Sequence, residues 1–222
     1  MCIRDSPTML SGDIGIQNDS LDNAYHVLYI DGTTDNGNIT TDCIIDGFQV
    51  VDGFADGSFP NNDGGGIFNN GEGASKECSP SILNCNFTNN TARHGGAIYN
   101  VGRDGESSPT LTNCTFTNNA TTSRGGAIYN LGFQGTSSPI LTNCTFTNNT
   151  AEPGGAIYND GSNGTSSPTL TNCIFTNNTA TNNRGISLGG AIYNSGDGNT
   201  SCLLYTSPSP RDATLSRMPS SA

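Results

Sequence analysis

The sequence predicts an all-β fold, a right-handed parallel β-helix of about six coils with about 30 residues in each. Three observations lead there. Two short motifs alternate at a nearly constant period. The residues between them are corner formers, not helix formers. Cys and Phe alternate with Thr inside the best-kept motif, as on a strand with one buried face.

The period comes first. "GGGIFN" begins at Gly64, and "GGAIYN" at Gly95, Gly125, Gly154 and Gly189, with starts 31, 30, 29 and 35 residues apart. The second block carries Cys85, Cys114, Cys144 and Cys173, spaced 29, 30 and 29. Repeats of this length are stacked units that bury a face only against their neighbours.

The corners come next. Charged residues make up 12% of the chain, Trp is absent, and Gly alone numbers 29. Gly, Asn, Thr and Ser form helices poorly. The spacing of Leu111, Cys114, Phe116 and Asn119 also fits a leucine-rich repeat. The return segment Gly125–Pro139 argues against that, since it opens on a Gly pair and closes on Ser-Ser-Pro, leaving no room for a helix. Two or three short strands per turn are expected.

Facing follows from alternation. In "NCTFT", Cys114 and Phe116 point inward with Leu111, and Thr115 and Thr117 point outward. Coils stacked about 4.8 Å apart place each residue over its own copy. Like Asn side chains then hydrogen-bond along the stack and like aromatics stack. Asn84, Asn113, Asn143 and Asn172 form one expected ladder, and Asn90, Asn119, Asn149 and Asn178 another. Ile128 points inward. Tyr129 then faces out, in a row with Phe68, Tyr99, Tyr158 and Tyr193. The four cysteines read as buried apolar fillers. Disulfides between equivalent parallel positions have poor geometry, and no C-x-x-C or paired His suggests a metal. Cys78 stands off that row, free or paired with Cys43.

The ends read differently. "CLLYTS" at 202–207 and "MCIRD" at 1–5 are encoded by reverse-complementary DNA, as in the two ends of a sequencing adaptor. The expected organisation is therefore 1–6 and 202–222 adaptor-derived, 7–63 degenerate coils and 64–201 regular repeats. On this reading the chain is a fragment, with any export signal or anchor outside it. "TDCIIDGFQVVDGF" (41–54) reads as an early turn of the same solenoid.

"GGAIYN" and "FTNN" resemble the paired GGAI and FxxN signatures of polymorphic outer membrane protein repeats, a group of right-handed parallel β-helix repeat proteins. The likeness runs over Gly64–Asn194, with GGAI at Gly95, Gly125, Gly154 and Gly189 and FxxN at Phe87, Phe116, Phe146 and Phe175. It implies a secreted or outer-membrane surface protein, often exported as an autotransporter passenger and associated with adhesion.

Function classes narrow accordingly. A net charge of −11 offers no basic stripe for nucleic acid. No apolar run is long enough to span a membrane. The leading expectation is a monomeric structural or adhesin-like scaffold whose partners are glycans or cell-surface molecules. Tyr99, Tyr129, Tyr158 and Tyr193 are its candidate binding residues, through stacking on sugar rings. The alternative is a carbohydrate-active enzyme, a polysaccharide lyase or hydrolase. Its carboxylates are not evident: Arg93, Arg103, Asp104, Glu106, Arg124, Glu152, Asp160 and Arg184 fall in loops that differ between copies, Arg103–Glu106 reads as a solvated corner, and His26 and His94 lack a triad context. No cofactor is expected, except calcium at the Asp-rich lead formed by Asp31, Asp35, Asp42, Asp46, Asp52, Asp56 and Asp63. A third expectation, a water-ordering Thr array at Thr115, Thr117, Thr145 and Thr147, is interrupted by Asn86 and Ile174.

Overall fold

A coil can be followed from Thr110. Thr110–Thr112 and Thr115–Thr117 are strands separated by Asn113, and Ala120–Arg124 is a third. Gly125 turns the chain into a fourth, Ile128–Leu131, and a loop leads to Ile140–Thr142, which begins the next coil. The computed structural model describes residues 8–14, 19, 22–34, 37–181 and 188–196, and the backbone of 204–206.

Equivalent strands pair in parallel across successive coils, giving four sheets, three of six strands and one of four. No sheet closes into a barrel. The register keeps like beside like: Leu111 meets Leu141, Phe116 meets Phe146, and Tyr129 meets Tyr158. The fourth sheet corrects the expectation of two or three strands per turn. The residues after each "FTNN" run extended as Thr91–His94, Ala120–Arg124, Thr150–Ala151 and Thr179–Ala180. Pairing with neighbouring coils is what turns pieces as short as two residues into strands.

The lead shares the stack. Ile44–Asp46 pairs with Ser81–Leu83, and Phe48–Val51 with Asn86–Thr88, so Val50 lies beneath Phe87. Leu204–Thr206 pairs with Thr169–Thr171 at the other end. The remaining residues of the two terminal segments expected to be adaptor-derived lie outside the described part, as do Asp35 and Arg184.

The interior is built as alternation requires. Phe87, Phe116 and Phe146 are fully buried, and with half-buried Phe175 their rings stack at centroid distances of 4.9, 4.7 and 4.8 Å, within 5° of parallel. The spacing is the coil pitch itself. Ile82, Leu111, Leu141 and Leu170 line a second column, Ile67, Ile98, Ile128 and Ile157 a third, and Cys85, Cys114, Cys144 and Cys173 a fourth. Each buried Leu, Ile or Phe contributes about 1.5–3 kcal/mol.

Corners need a left-handed backbone, and Asn supplies it. Asn113 and Asn118 have φ of 55° and 56°, and their copies match. Beside the second of these corners, the buried ladder takes the next residue along. The Asn119 side chain donates to Asn149 Oδ1 at 3.0 Å and to the Phe87 carbonyl at 3.0 Å. The exposed ladder forms as well: Asn113 donates to Asn84 at 3.1 Å and Asn143 to Asn113 at 3.2 Å. Gly125 takes φ +66°, and a Cβ on Gly126 would stand 2.2 Å from the Gly155 carbonyl oxygen, so neither place admits a side chain.

A third Asn ladder was not anticipated. Asn69, Asn100, Asn130, Asn159 and Asn194, each the Asn of an "IFN" or "IYN", pass hydrogen bonds of 2.7–2.8 Å from one coil to the next. The first four are wholly buried. Ser107, Ser137 and Ser166 run alongside, each hydroxyl donating to backbone carbonyls of earlier coils.

The described cysteines are free. Cys114 Sγ lies 3.4 Å from the Ile82 carbonyl and Cys78 Sγ 3.4 Å from that of Ile30. Burial pushes the Cys78 thiol up to about 12. The fillers are thus thiols satisfied by the backbone, and Cys78 and Cys43 are unpaired with each other.

Candidate functional site

In Ile128–Leu131 the side chains of Ile128 and Asn130 enter the core, so Tyr129 and Leu131 take the other face. The tyrosine row does point away from the main core. It does not lie open, however: Tyr99 and Tyr129 are 3% exposed and Tyr158 is 4%. Tyr99 and Tyr129 stack at 5.2 Å and 5°, Tyr158 and half-buried Tyr193 at 5.1 Å and 28°. The expectation that Tyr99, Tyr129 and Tyr158 offer ring faces to sugars is therefore corrected, because each face is covered by the next ring or by a flanking side chain.

The cover comes from two columns at fixed offsets. Five residues before each ring stand Asp63, His94 and Arg124; four residues after stand Glu72, Arg103 and Phe133. The His94 ring stacks on Tyr129 at 5.2 Å, the Arg124 guanidinium lies 5.3 Å over Tyr158, and that of Arg103 lies 5.8 Å over Phe133. The repeat holds these positions constant in space while changing their chemistry from coil to coil.

Between the two columns is a cleft of about 300 Å³. Arg93, Arg103, Arg124 and His94 bring positive or ionisable nitrogen to its wall, Asp63 and Asp160 bring carboxylates, and Phe59, Phe133, Leu131 and the edges of Tyr99 and Tyr129 bring apolar surface. The described residues include four Lys or Arg in all, and three of them line this cleft. Asp63 accepts from or pairs with His94 at 2.8 Å. Asp160 accepts from Tyr129 at 3.0 Å and from Ser162 through its backbone N–H at 3.1 Å and its hydroxyl at 2.6 Å. Arg103 stands 3.7 Å from Glu72 at a half-exposed rim, and its Nε is buried with no hydrogen-bond partner. Burial pushes the Tyr99 hydroxyl well above its usual range. Tyr129 is raised by burial and by the Asp160 carboxylate beside it.

Residues read as scattered loop charges are therefore gathered. Arg93, His94, Arg103, Arg124 and Asp160 share one cleft, whereas Asp104, Glu106 and Glu152 stay exposed. Asp104 and Glu106 are exposed beside half-exposed Arg103, as a solvated corner requires, and Arg103 also reaches the cleft. The constant offset of His94, Arg103 and Arg124 from the tyrosines was the available signal. Among the described residues no three of His, Cys, Asp and Glu come close enough to hold a metal ion, and Asp35 of the Asp-rich lead lies outside them. Asp31 instead accepts from Thr33, and Asp46 from Asn84. The second histidine, His26, meets the Gly64 carbonyl at 3.0 Å.

Each of the four regular coils thus presents the same unit: the Asn corner, the Cys-Phe strand, the Gly turn and the tyrosine strand. Residues 84–101, 113–131, 143–160 and 172–195 follow it. These four segments match the Chlamydia polymorphic membrane protein (Chlamydia_PMP) repeat. The Chlamydia_PMP match includes Arg93, His94, Arg124 and Asp160 of the cleft, and leaves Arg103 and Phe133 in the loops between matched segments. No curated protein and no solved structure matches the chain.

Proposed function

We propose that the chain is a right-handed β-helix of about six coils that serves as a binding scaffold on a secreted or outer-membrane surface repeat protein, with an adhesin-like role. The hand follows the strong preference of parallel crossovers. Residues 7–63 act as degenerate coils leading into the regular ones. The observation that carries the reading is the match of four successive coils, in register, to a repeat named for membrane proteins of this kind. A stack of identical columns is stiff and extended and suits display of variable side chains along one face. Among the described residues no helix is long and apolar enough to cross a membrane. The lyase or hydrolase alternative gains no support from the cleft, whose two carboxylates are engaged by His94, Tyr129 and Ser162.

Beads coated with the whole chain test the scaffold role. They should adhere to cell monolayers several times more than beads carrying albumin or the unfolded chain. Equal adherence of all three removes the adhesin-like role.

A further inference from the structure

We infer that the cleft between the two variable columns binds the carboxylate of an acidic sugar, a single uronic or nonulosonic acid unit. This deepens the scaffold reading and rests on it, naming the ligand class the scaffold would hold.

The charge distribution is the first argument. In a chain of net charge −11, three of the four described basic side chains converge on one cleft. Among the described residues the ion pairs are His94–Asp63 and Arg103–Glu72, so Arg93 and Arg124 have no carboxylate within salt-bridge distance. Arg103 adds a buried Nε without a hydrogen-bond partner, and Nε–H with a terminal N–H is one of the two guanidinium edges that grip a carboxylate with two parallel bonds.

The rest of the lining separates a sugar acid from other anions. With Glu72 on Arg103 and Asp63 on His94, Arg93 and Arg124 face Asp160, a small net charge that gives a phosphate dianion little advantage over a single carboxylate. Phe59, which is half exposed, and Phe133 give apolar surface for the C–H face of a ring. About 300 Å³ is at the small end of ligand pockets, room for one or two sugar units and not for a folded partner.

The test is titration of the whole chain with glucuronate, with N-acetylneuraminate, with glucose and with inorganic phosphate, followed by NMR chemical shifts of the arginine side chains. One or both sugar acids should shift Arg103 and Arg124 and saturate in the millimolar range or below, while glucose and phosphate bind at least about tenfold more weakly. Arg103→Gln and Arg124→Gln, each shown folded by circular dichroism, should weaken binding at least about tenfold, and Lys76→Gln, outside the cleft, should leave it unchanged. Absence of binding by both acids, equal binding of glucose or phosphate, or indifference to both arginine substitutions overturns the inference. Adherent beads with no sugar-acid binding sink this inference alone, whereas sugar-acid binding without adherence sinks the scaffold role alone.

Discussion

The side-chain amide of Asn100 donates to Asn130 Oδ1 at 2.7 Å, and neither residue has any solvent exposure. Asn130 hands the same bond on to Asn159 at 2.8 Å. Removing one member strands a donor below and an acceptor above in a place water does not reach, which costs about 1–3 kcal/mol for each group. Asn130→Leu should therefore lower the urea midpoint sharply. Asn143→Gly, which keeps the left-handed corner and loses only an exposed bond, should cost less than about 1 kcal/mol. Equal losses would mean that the inner ladder carries no special weight.

Facing can be tested on two adjacent residues. Phe116 is fully buried between two parallel rings, while Thr115 is half-buried and donates to Asn86 at 2.7 Å. Phe116→Asp should abolish the folded state, because it buries a carboxylate and empties the space of a ring. Thr115→Asp should leave a cooperative thermal transition only a few degrees lower. Similar melting of the two variants would reverse the assignment.

Alkali should act through the tyrosine ladder. Burial holds the hydroxyls of Tyr99, Tyr129 and Tyr158 above the ordinary value of 10.0. A phenol with a raised folded value stabilises the fold fully below pH 10.0, and that stability falls as pH climbs beyond it toward the folded value. Ultraviolet titration should show these three ionising late, in step with loss of the β circular dichroism signal. Ionisation of all tyrosines near 10 with the fold intact would contradict their enclosure.

The thiol column predicts a kinetic result. Cys144 is pushed up to about 12 by the neighbouring Cys114 sulfur and by burial, and Cys78 to about 12 by burial. A thiolate-selective reagent at neutral pH should label Cys78, Cys85, Cys114, Cys144 and Cys173 only as fast as the chain unfolds, with partly exposed Cys43 reacting before these five. Rapid labelling of Cys144 in the native protein would show an open column.

Much of this architecture is written in the period. Cys114, Phe116 and Asn119 recur at one offset, and stacking converts recurrence into contact, so their columns follow from the sequence without coordinates. The Asn130 ladder was equally present in the repeated "IYN" but reads as another corner until the strand is seen to continue through it. The fourth sheet hides in pieces such as Thr150–Ala151, too short to show alternation. The site is the least legible part, because it depends on positions that do not repeat. His94 and Arg124 occupy one column and Arg103 and Phe133 the other. Only their spacing from the tyrosines, and not their identity, marks them as neighbours.

Proton–proton contacts in a labelled sample address the stack itself. Ring protons of Phe116 should show nuclear Overhauser contacts to Phe87 and Phe146, with centroids at 4.9 and 4.7 Å, and none to Phe175, two coils away. Contacts confined to residues near in sequence, or a Phe116 ring without either neighbour, would show that successive repeats do not lie one upon another.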